Sequence, residues 1–168
     1  SPGGDGLFYY FVDPASGAVL TDVSPTHPGV SAPSITQVAR PNIEGFLFKD
    51  MCLHTKDTVW CDRFIAQARA SLERQDDKVL CMQFEQNYPE TGDVHPRFNI
   101  WNAEALLEAY SLTGDRAFLE GAARTARLMA RVQRPDGAIY YNLKTDGTFR
   151  RDSLTGSATA FAGILWLR

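Results

Sequence analysis

The chain has 168 residues, of which 44% are hydrophobic and 22% are charged, and its formal net charge is −3 at pH 7. These values fit one globular domain with a buried core, and they exclude a disordered chain. They also argue against nucleic acid and a membrane as partners, because no basic run is present to neutralise phosphates and the longest apolar run, 161–167, is too short to span a bilayer.

Residues 1–34 are rich in Gly, Pro, Ser and Asp, and they predict a loop-rich N-terminal segment. A strand-like patch at 7–12 is followed at 13–17 by "DPASG", which is typical of a turn. We therefore expect a short β-hairpin here, followed by a helical domain that spans 35–168.

Five helical segments are predicted in that domain, at 43–53, 58–74, 100–110, 116–131 and 158–167. The second and fourth are amphipathic, whereas the other three are apolar around most or all of their circumference. An amphipathic helix can form an outer layer, but an apolar helix must be buried on every side. The sequence therefore predicts an all-α fold of helical hairpins in two layers, with the three apolar helices enclosed by their neighbours.

A weak internal repeat accompanies this alternation. Asp57 and Asp115 stand where the N-caps of the second and fourth helices belong, and they are 58 residues apart (115 minus 57). The same offset pairs Thr55 with Thr113 without a gap. Because repeats of about this length are typical of helical arrays, we expect the two hairpins to be built alike.

The three cysteines, Cys52, Cys61 and Cys81, have no metal-ligand spacing. We expect them to be buried free thiols in a helical core. The sequence also lacks a Gly-rich phosphate loop and a His-Glu-x-x-His pair, so we expect neither a metal nor a cofactor.

The C-terminal half resembles a known superfamily. In "TGDRAFLEGAARTARLMARVQRPDGAIYYN" an outer helix ends in the turn 133–137 and a short aromatic strand follows at 138–142, before "DSLTGSATAFAGILWL" opens a helix with small residues. Over 40–168 the pattern resembles six-hairpin (α/α) toroid carbohydrate-active enzymes, and it is most similar to unsaturated glucuronyl and rhamnogalacturonyl hydrolases. The resemblance implies a portion of a toroid, about two and a half hairpins, which the remainder of a longer chain or a homo-oligomer completes.

In such toroids the ligand cavity lies at the ends of the inner helices, and "HPRFNIWN" at 95–102 enters the third helix. Sugar recognition favours these residue types, because an aromatic ring stacks on the C–H face while amides and Arg bind hydroxyls and carboxylates. The positive end of the helix favours an anionic ligand such as a uronate. Alternatively, the ring is core, an amide caps the helix and the guanidinium is solvated. The expected substrate contacts are His95, Arg97, Asn99, Trp101 and Asn102.

Further candidates lie in other segments. Strand alternation sends Tyr140 and its neighbour Tyr141 to opposite sides, so one of them faces the cavity. Asp152 precedes the fifth helix, where it is either a general acid or a cap paired with a neighbouring arginine. Asp93 lies close to the start of the third helix in sequence. Arg40 and Glu44 stand at the mouth of the first inner helix.

The function expected from this resemblance is a glycoside hydrolase that cleaves acidic, uronic-acid-containing oligosaccharides by carboxylate acid/base catalysis. Asp152, Asp93 and His95 are the candidate catalytic residues. A polysaccharide lyase or a sugar epimerase on the same toroid is an alternative, and a non-catalytic helical-repeat scaffold is the alternative from another class. An enzyme predicts that His95, Arg97, Trp101 and Asp152 converge on one pocket, whereas a scaffold predicts ordinary helix caps.

Overall fold

The structure, a computed structural model, describes residues 8–9, 12–19, 37–38, 42, 44–76, 81–82, 95–144, 146–149 and 152–168. Within these residues the fold is all-α, as predicted, and its strands are only two residues long. All five predicted helices are present, with ends that differ by a few residues from the predicted ones. They are α1 (Glu44–Thr55), α2 (Thr58–Glu73), α3 (Pro96–Thr113), α4 (Arg116–Val132) and α5 (Gly156–Trp166).

The strands form two small antiparallel pairs. The predicted turn is present, because Val12 bridges Val19 and the backbone N–H of Asp13 donates to the carbonyl of Ala18 at 2.8 Å. However, β1 (Phe8–Tyr9) pairs with β2 (Gln37–Val38), which lies inside the segment predicted to be helical. The pair β3 (Gln75–Asp76) and β4 (Cys81–Met82) was not predicted at all.

The helices form two hairpins and a fifth helix in two layers. In the row of α1, α3 and α5, Lys49 of α1 contacts Glu108 of α3, and Trp101 of α3 contacts Phe161 of α5. The second layer consists of α2 and α4, which run in the same direction. Arg69 of α2 binds Asp115 at the start of α4, and Gln75, just beyond α2, binds the carbonyl of Gly121 further along α4.

The repeat of 58 residues is visible in the turns of the two hairpins. Asp57 accepts from the backbone N–H of Val59 at 3.0 Å, and Asp115 accepts from that of Ala117 at 3.0 Å. Each aspartate N–H donates in turn to a threonine two residues earlier, at 3.2 and 3.1 Å. The predicted N-caps are therefore confirmed, and the two turns have the same hydrogen bonds.

The core is centred on α3, which packs against α2, α4 and α5. Its apolar side chains are closed to solvent together with those that face them from the other elements. Burial of such side chains provides the main stabilisation of the fold. The largest are Phe64, Ile100, Leu106, Phe118, Met129, Ile139 and Leu143.

The prediction that three helices are enclosed on every side is wrong: α3 is the most buried of the three, yet Leu112 on it is 39% exposed and one side of it carries half-buried residues. On α1, Leu47 is 61% exposed and Leu53 is also exposed, and on α5 the side chains of Ile164 and Trp166 are exposed. The prediction was wrong for these two helices because, among the described residues, α1 packs mainly on α2 while α5 packs on α3 and α4.

The prediction of free thiols was wrong for two of the three cysteines. Cys52 in α1 and Cys61 in α2 form a disulfide, with their Cα atoms 5.1 Å apart. The α1–α2 turn brings the two residues together from nine positions apart in the sequence. The bridge therefore closes the first hairpin covalently.

Candidate functional site

The candidate site is built on the first turns of α3, which begins four residues earlier than predicted. His95 occupies the N-cap position in an extended conformation, and Pro96 is the first helical residue. Proline suits this position because the first helical N–H has no partner inside the helix. The stretch 97–102 is therefore helical, and its side chains divide between two faces of α3 instead of lining one loop.

One face of this turn points into the protein. The side chains of Asn99 and Asn102 are fully buried, and each amide donates to a backbone carbonyl four residues earlier, at 2.9 and 3.0 Å. Asn102 Oδ1 also accepts from the hydroxyl of Ser71 in α2 at 3.5 Å, whereas Asn99 Oδ1 has no partner among the described residues. The expectation that these two amides bind substrate is not met, because neither side chain is accessible.

The other face carries a continuous group of rings, the aromatic surface, made of His95, Phe98, Trp101, Tyr141 and Phe161. The His95 ring packs against Phe98 and edge-on against Tyr141, with centroids 5.4 and 5.5 Å apart. Trp101 meets Phe98 and Phe161 edge-on, at 5.6 Å in both cases. Three separate segments of the chain therefore contribute to one surface.

A guanidinium lies on this surface. Arg97 Cζ is 4.9 Å from the ring centroid of Phe98 and 5.0 Å from that of Trp101. The arginine is half-buried, and Tyr141 is the most open ring of the group at 45% exposed. The arrangement thus offers, on one surface, an accessible phenol ring and a cation whose planar donors match a carboxylate, with the rings of His95 and Phe98 between them.

Asp152 does not join the aromatic surface. Its side chain is 74% exposed and pairs with Arg134 at 3.4 Å. Arg134 also holds the carboxylate of Asp136, and this hydrogen bond is the main reason why the pKa of Asp136 lies below its usual value. The predicted convergence of Asp152 with His95, Arg97 and Trp101 is therefore not observed, and Asp136 lies in the predicted turn 133–137.

The two neighbouring tyrosines do face different ways, as strand alternation predicted. Tyr140 stacks on Phe149 with centroids 4.5 Å apart and lies under the Arg134 guanidinium, whereas Tyr141 contacts His95. Tyr141 is thus the tyrosine that belongs to the candidate site.

Of three further predicted residues, the structure describes only Glu44, which does not lie at this surface. Asp93 and Arg40 lie outside the described residues. Glu44 is in the first turn of α1. Because Lys49 of α1 is level with Glu108 of α3, Glu44 lies beside the middle of α3, not beside its first turn.

Two carboxylates on α3, Glu104 and Glu108, lie beside the site and were not predicted from the sequence. Glu108 binds Lys49 at 3.4 Å on one side and Arg168 on the other. Burial raises the pKa of Glu108, but the hydrogen bond from Arg168 and the charge of Lys49 outweigh it, so the net pKa is lowered. Burial raises the pKa of Glu104. The positive charge of Arg168 lowers this pKa and the negative charge of Glu108 raises it, and the net pKa lies above the usual value.

The helical spacing in the sequence could have predicted that these two carboxylates lie on the same side of α3 as Arg97 and Trp101. Arg97, Trp101, Glu104 and Glu108 stand at positions i, i+4, i+7 and i+11, which share one side of a helix. We name this set the α3 stripe. All four side chains are half-buried, and none is closed to solvent.

No group of three His, Cys, Asp or Glu side chains is arranged to hold a metal ion in the part of the chain that the structure describes. None of its helices combines the length and apolar character needed to cross a membrane. Comparisons of the chain with protein-family models, with curated proteins and with solved structures gave no match.

Proposed function

We propose that the chain is part of a carbohydrate-active enzyme of the six-hairpin toroid type, and that it hydrolyses glycosidic bonds in acidic, uronic-acid-containing oligosaccharides. The observation that carries this proposal is the aromatic surface at the start of α3 with the Arg97 guanidinium upon it. The fold supports this proposal through the burial of α3 and the two layers of helices. It does not supply the three fully enclosed helices that the sequence predicted.

An exposed ring and a cation on the same surface suit an acidic sugar. The C–H face of a pyranose stacks on an aromatic ring, and Tyr141 offers such a ring. A uronate carboxylate accepts two parallel hydrogen bonds from a guanidinium, and Arg97 is close enough to the rings to bind the same sugar. The N-terminal end of α3 adds positive potential at this place.

The positions of the histidines disfavour epimerisation, and one of the residues that a lyase would use is closed to a ligand. A lyase on the predicted constellation uses an Asn or an Arg to neutralise the uronate; Asn102 is fully buried, which leaves Arg97 for this role, and the products of the reaction distinguish a lyase from a hydrolase. An epimerase needs two histidines at one site, but His54 is in the last turn of α1 while His95 precedes the first turn of α3. The α1 and α3 helices run in parallel, so these two histidines lie at opposite ends of the layer.

The experiment is isothermal titration of the chain with tetrasaccharides cut from polygalacturonate, alginate and hyaluronan, with neutral maltotetraose as the control sugar. We expect at least one acidic tetrasaccharide to bind and maltotetraose not to bind. Arg97→Gln and Tyr141→Ala should each weaken binding about tenfold or more, because each removes a charge-assisted hydrogen bond or a stacking face. Arg127→Gln and Phe149→Ala are matched controls, since both side chains are exposed but lie outside the aromatic surface.

The reaction is then followed with the sugar that binds. Hydrolysis produces new reducing ends without an ultraviolet-absorbing double bond, whereas a lyase produces both. Binding that is unaffected by Arg97→Gln and Tyr141→Ala, or no binding of any acidic sugar, contradicts the proposed function. A product that carries a new double bond assigns the surface to a lyase instead.

A further inference from the structure

We propose that Glu104 is the proton donor of the hydrolysis, acting from the middle of the α3 stripe on a sugar that is held by Trp101, Arg97 and Tyr141. This inference rests on the proposed function and adds the catalytic group that the predicted residues do not provide. Asp152 is paired with Arg134 and has no described contact with the aromatic surface, so the reaction needs another carboxyl.

The position of Glu104 follows from helix geometry. It lies three residues after Trp101 on the same side of α3, about 4.5 Å further along the axis. Trp101 itself contacts Phe98 and Phe161 of the aromatic surface. A sugar that occupies this surface therefore extends naturally over Glu104, within reach of its carboxyl group.

The surroundings of Glu104 leave its carboxyl group available. It has no hydrogen-bond or ion-pair partner among the described residues, although it is half-buried. Its neighbour Glu108 is held from both sides, by Lys49 of α1 and by Arg168 beyond α5. One carboxyl of the pair is thus fixed in the ionised form, and the other is free to carry and transfer a proton.

The titration behaviour agrees with this division of roles. Burial and the adjacent Glu108 charge raise the pKa of Glu104, while Arg168 and Lys49 lower that of Glu108. Two carboxyl groups whose surroundings separate their pKa values are the usual arrangement of an acid and an ionised partner in glycosidases. The Cβ atoms of residues four apart on a helix are about 5–6 Å from each other, so the charge of Glu108 acts on the carboxyl group of Glu104.

The charge of the stripe suits an acidic substrate. When Glu104 is protonated, three cations, Arg97, Lys49 and Arg168, stand against two ionised carboxylates, Glu108 and Asp50, both of which pair with Lys49. The local excess of positive charge attracts a uronate. Because these cations come from α1, from α3 and from the end of α5, the ligand is expected to lie along α3 between its two neighbours.

The chemical step is an acid-catalysed hydrolysis. The proton of Glu104 passes to the glycosidic oxygen as the bond between that oxygen and the anomeric carbon breaks. A water molecule then adds its hydroxyl group to the anomeric carbon, and its remaining proton restores Glu104. Glu108 is a positioning residue that stays ionised and favours the protonated form of Glu104.

The test compares Glu104→Gln with Glu120→Gln, which removes an exposed carboxylate on α4. With the acidic tetrasaccharide that binds best, Glu104→Gln should bind within about threefold of the parent chain but hydrolyse at least about 100-fold more slowly. The loss should be much smaller on a p-nitrophenyl uronide, because that leaving group departs without a proton. Glu120→Gln should match the parent chain in all three measurements.

A second measurement does not depend on turnover. The carboxyl carbon of Glu104, followed by ¹³C NMR, should titrate above the usual range for glutamate, and Glu108→Gln should lower its midpoint. The same substitution should shift the basic limb of the pH profile of kcat/KM to lower pH.

Several results would overturn the assignment of Glu104 while leaving the proposed function intact. These are full hydrolysis by Glu104→Gln with binding retained, an equal loss on both substrates, or a normal or lowered midpoint for the Glu104 carboxyl. If the parent chain binds acidic sugars but cleaves none of them, hydrolysis and the Glu104 assignment are both wrong. Failure of Arg97→Gln and Tyr141→Ala to weaken binding is a separate result, and it rejects the sugar site itself.

Discussion

At the scale of single residues, the two hairpin turns contain a natural comparison. Lys56 and Gly114 are equivalent in the repeat, and both have a left-handed backbone, with φ of 61° and 72°. Each backbone N–H donates to the carbonyl four residues earlier, at 2.9 and 2.7 Å. Glycine is the residue that adopts this conformation without a steric cost, so the first hairpin carries strain that the second avoids.

Exchange of these residues should therefore have opposite effects. We expect Lys56→Gly to raise the free energy of unfolding by about 0.5–1 kcal/mol, and Gly114→Lys to lower it by about 1 kcal/mol. A Cβ atom at 114 meets no neighbouring atom within 4 Å, so the cost there comes from the backbone conformation. Chemical denaturation of both variants measures the difference, and a destabilised Lys56→Gly variant would contradict the explanation.

The N-cap of α4 gives a prediction about pH. A hydrogen bond from Arg69 and one from the backbone N–H of Ala117 hold the pKa of Asp115 below its ordinary value of 3.8. A lowered folded-state pKa stabilises the protein at higher pH, and this contribution is lost as the pH falls through the ordinary pKa towards the folded one. We expect Asp115→Asn to destabilise the chain at neutral pH and to become equivalent to the parent chain in acid.

Arg69 provides the control for this effect. In an Arg69→Gln background, where the salt bridge of 2.7 Å is absent, Asp115→Asn should cost less and its pH dependence should become weaker. Thermal unfolding of the parent chain, the two single variants and the double variant between neutral and acidic pH measures the cost of Asp115→Asn and its pH dependence. A cost of Asp115→Asn that stays constant into acid would show that the charge of Asp115 does not stabilise the cap.

At the scale of elements, the disulfide between α1 and α2 determines the stability of the first hairpin. Cross-linking residues nine apart removes conformational entropy from the unfolded chain, which corresponds to about 2–3 kcal/mol in the chain-entropy model. Cys52→Ser combined with Cys61→Ser should lower the free energy of unfolding by about this amount. A thiol assay of the denatured, unreduced parent chain should find one free thiol, and three free thiols would show that the bridge does not form.

Most of the elements were predictable because their signals are local. Helical spacing of apolar residues identified the five helices, and the aspartates at 57 and 115 marked the starts of α2 and α4. The beginning of α3 was missed although Pro96 marked it, because the polar stretch up to Asn99 does not show the apolar periodicity on which the prediction depended. The two-residue strands were missed because so short a pair depends on its partner and not on its own sequence.

The site was less predictable because burial of polar groups is decided by tertiary contacts. Asn99 and Asn102 are residue types that normally contact solvent or ligand, yet here they lie fully buried in the core face of α3. In the sequence Glu104 and Glu108 resemble ordinary surface carboxylates, and only the fold brings Lys49 and Arg168 from distant segments to Glu108. The pairing of Cys52 with Cys61 likewise depends on the geometry of the hairpin, since its spacing has no sequence signature.

At the scale of the whole molecule, the two layers explain why the aromatic surface forms where it does. The parallel α1, α3 and α5 bring their side chains to one side, while α2 and α4 cover the other side of α3. The α3 stripe is part of the side of α3 that escapes this cover, and its four side chains are half-buried. The central claim is that this uncovered side of α3 binds an acidic sugar.

The most direct test of this claim is a crystal structure of the chain with the best-binding uronic-acid tetrasaccharide. We predict one sugar ring stacked on Tyr141, its carboxylate on the Arg97 guanidinium, and a glycosidic oxygen within hydrogen-bond distance of Glu104. Electron density for the sugar at any other surface, with these three side chains unoccupied, would contradict the account.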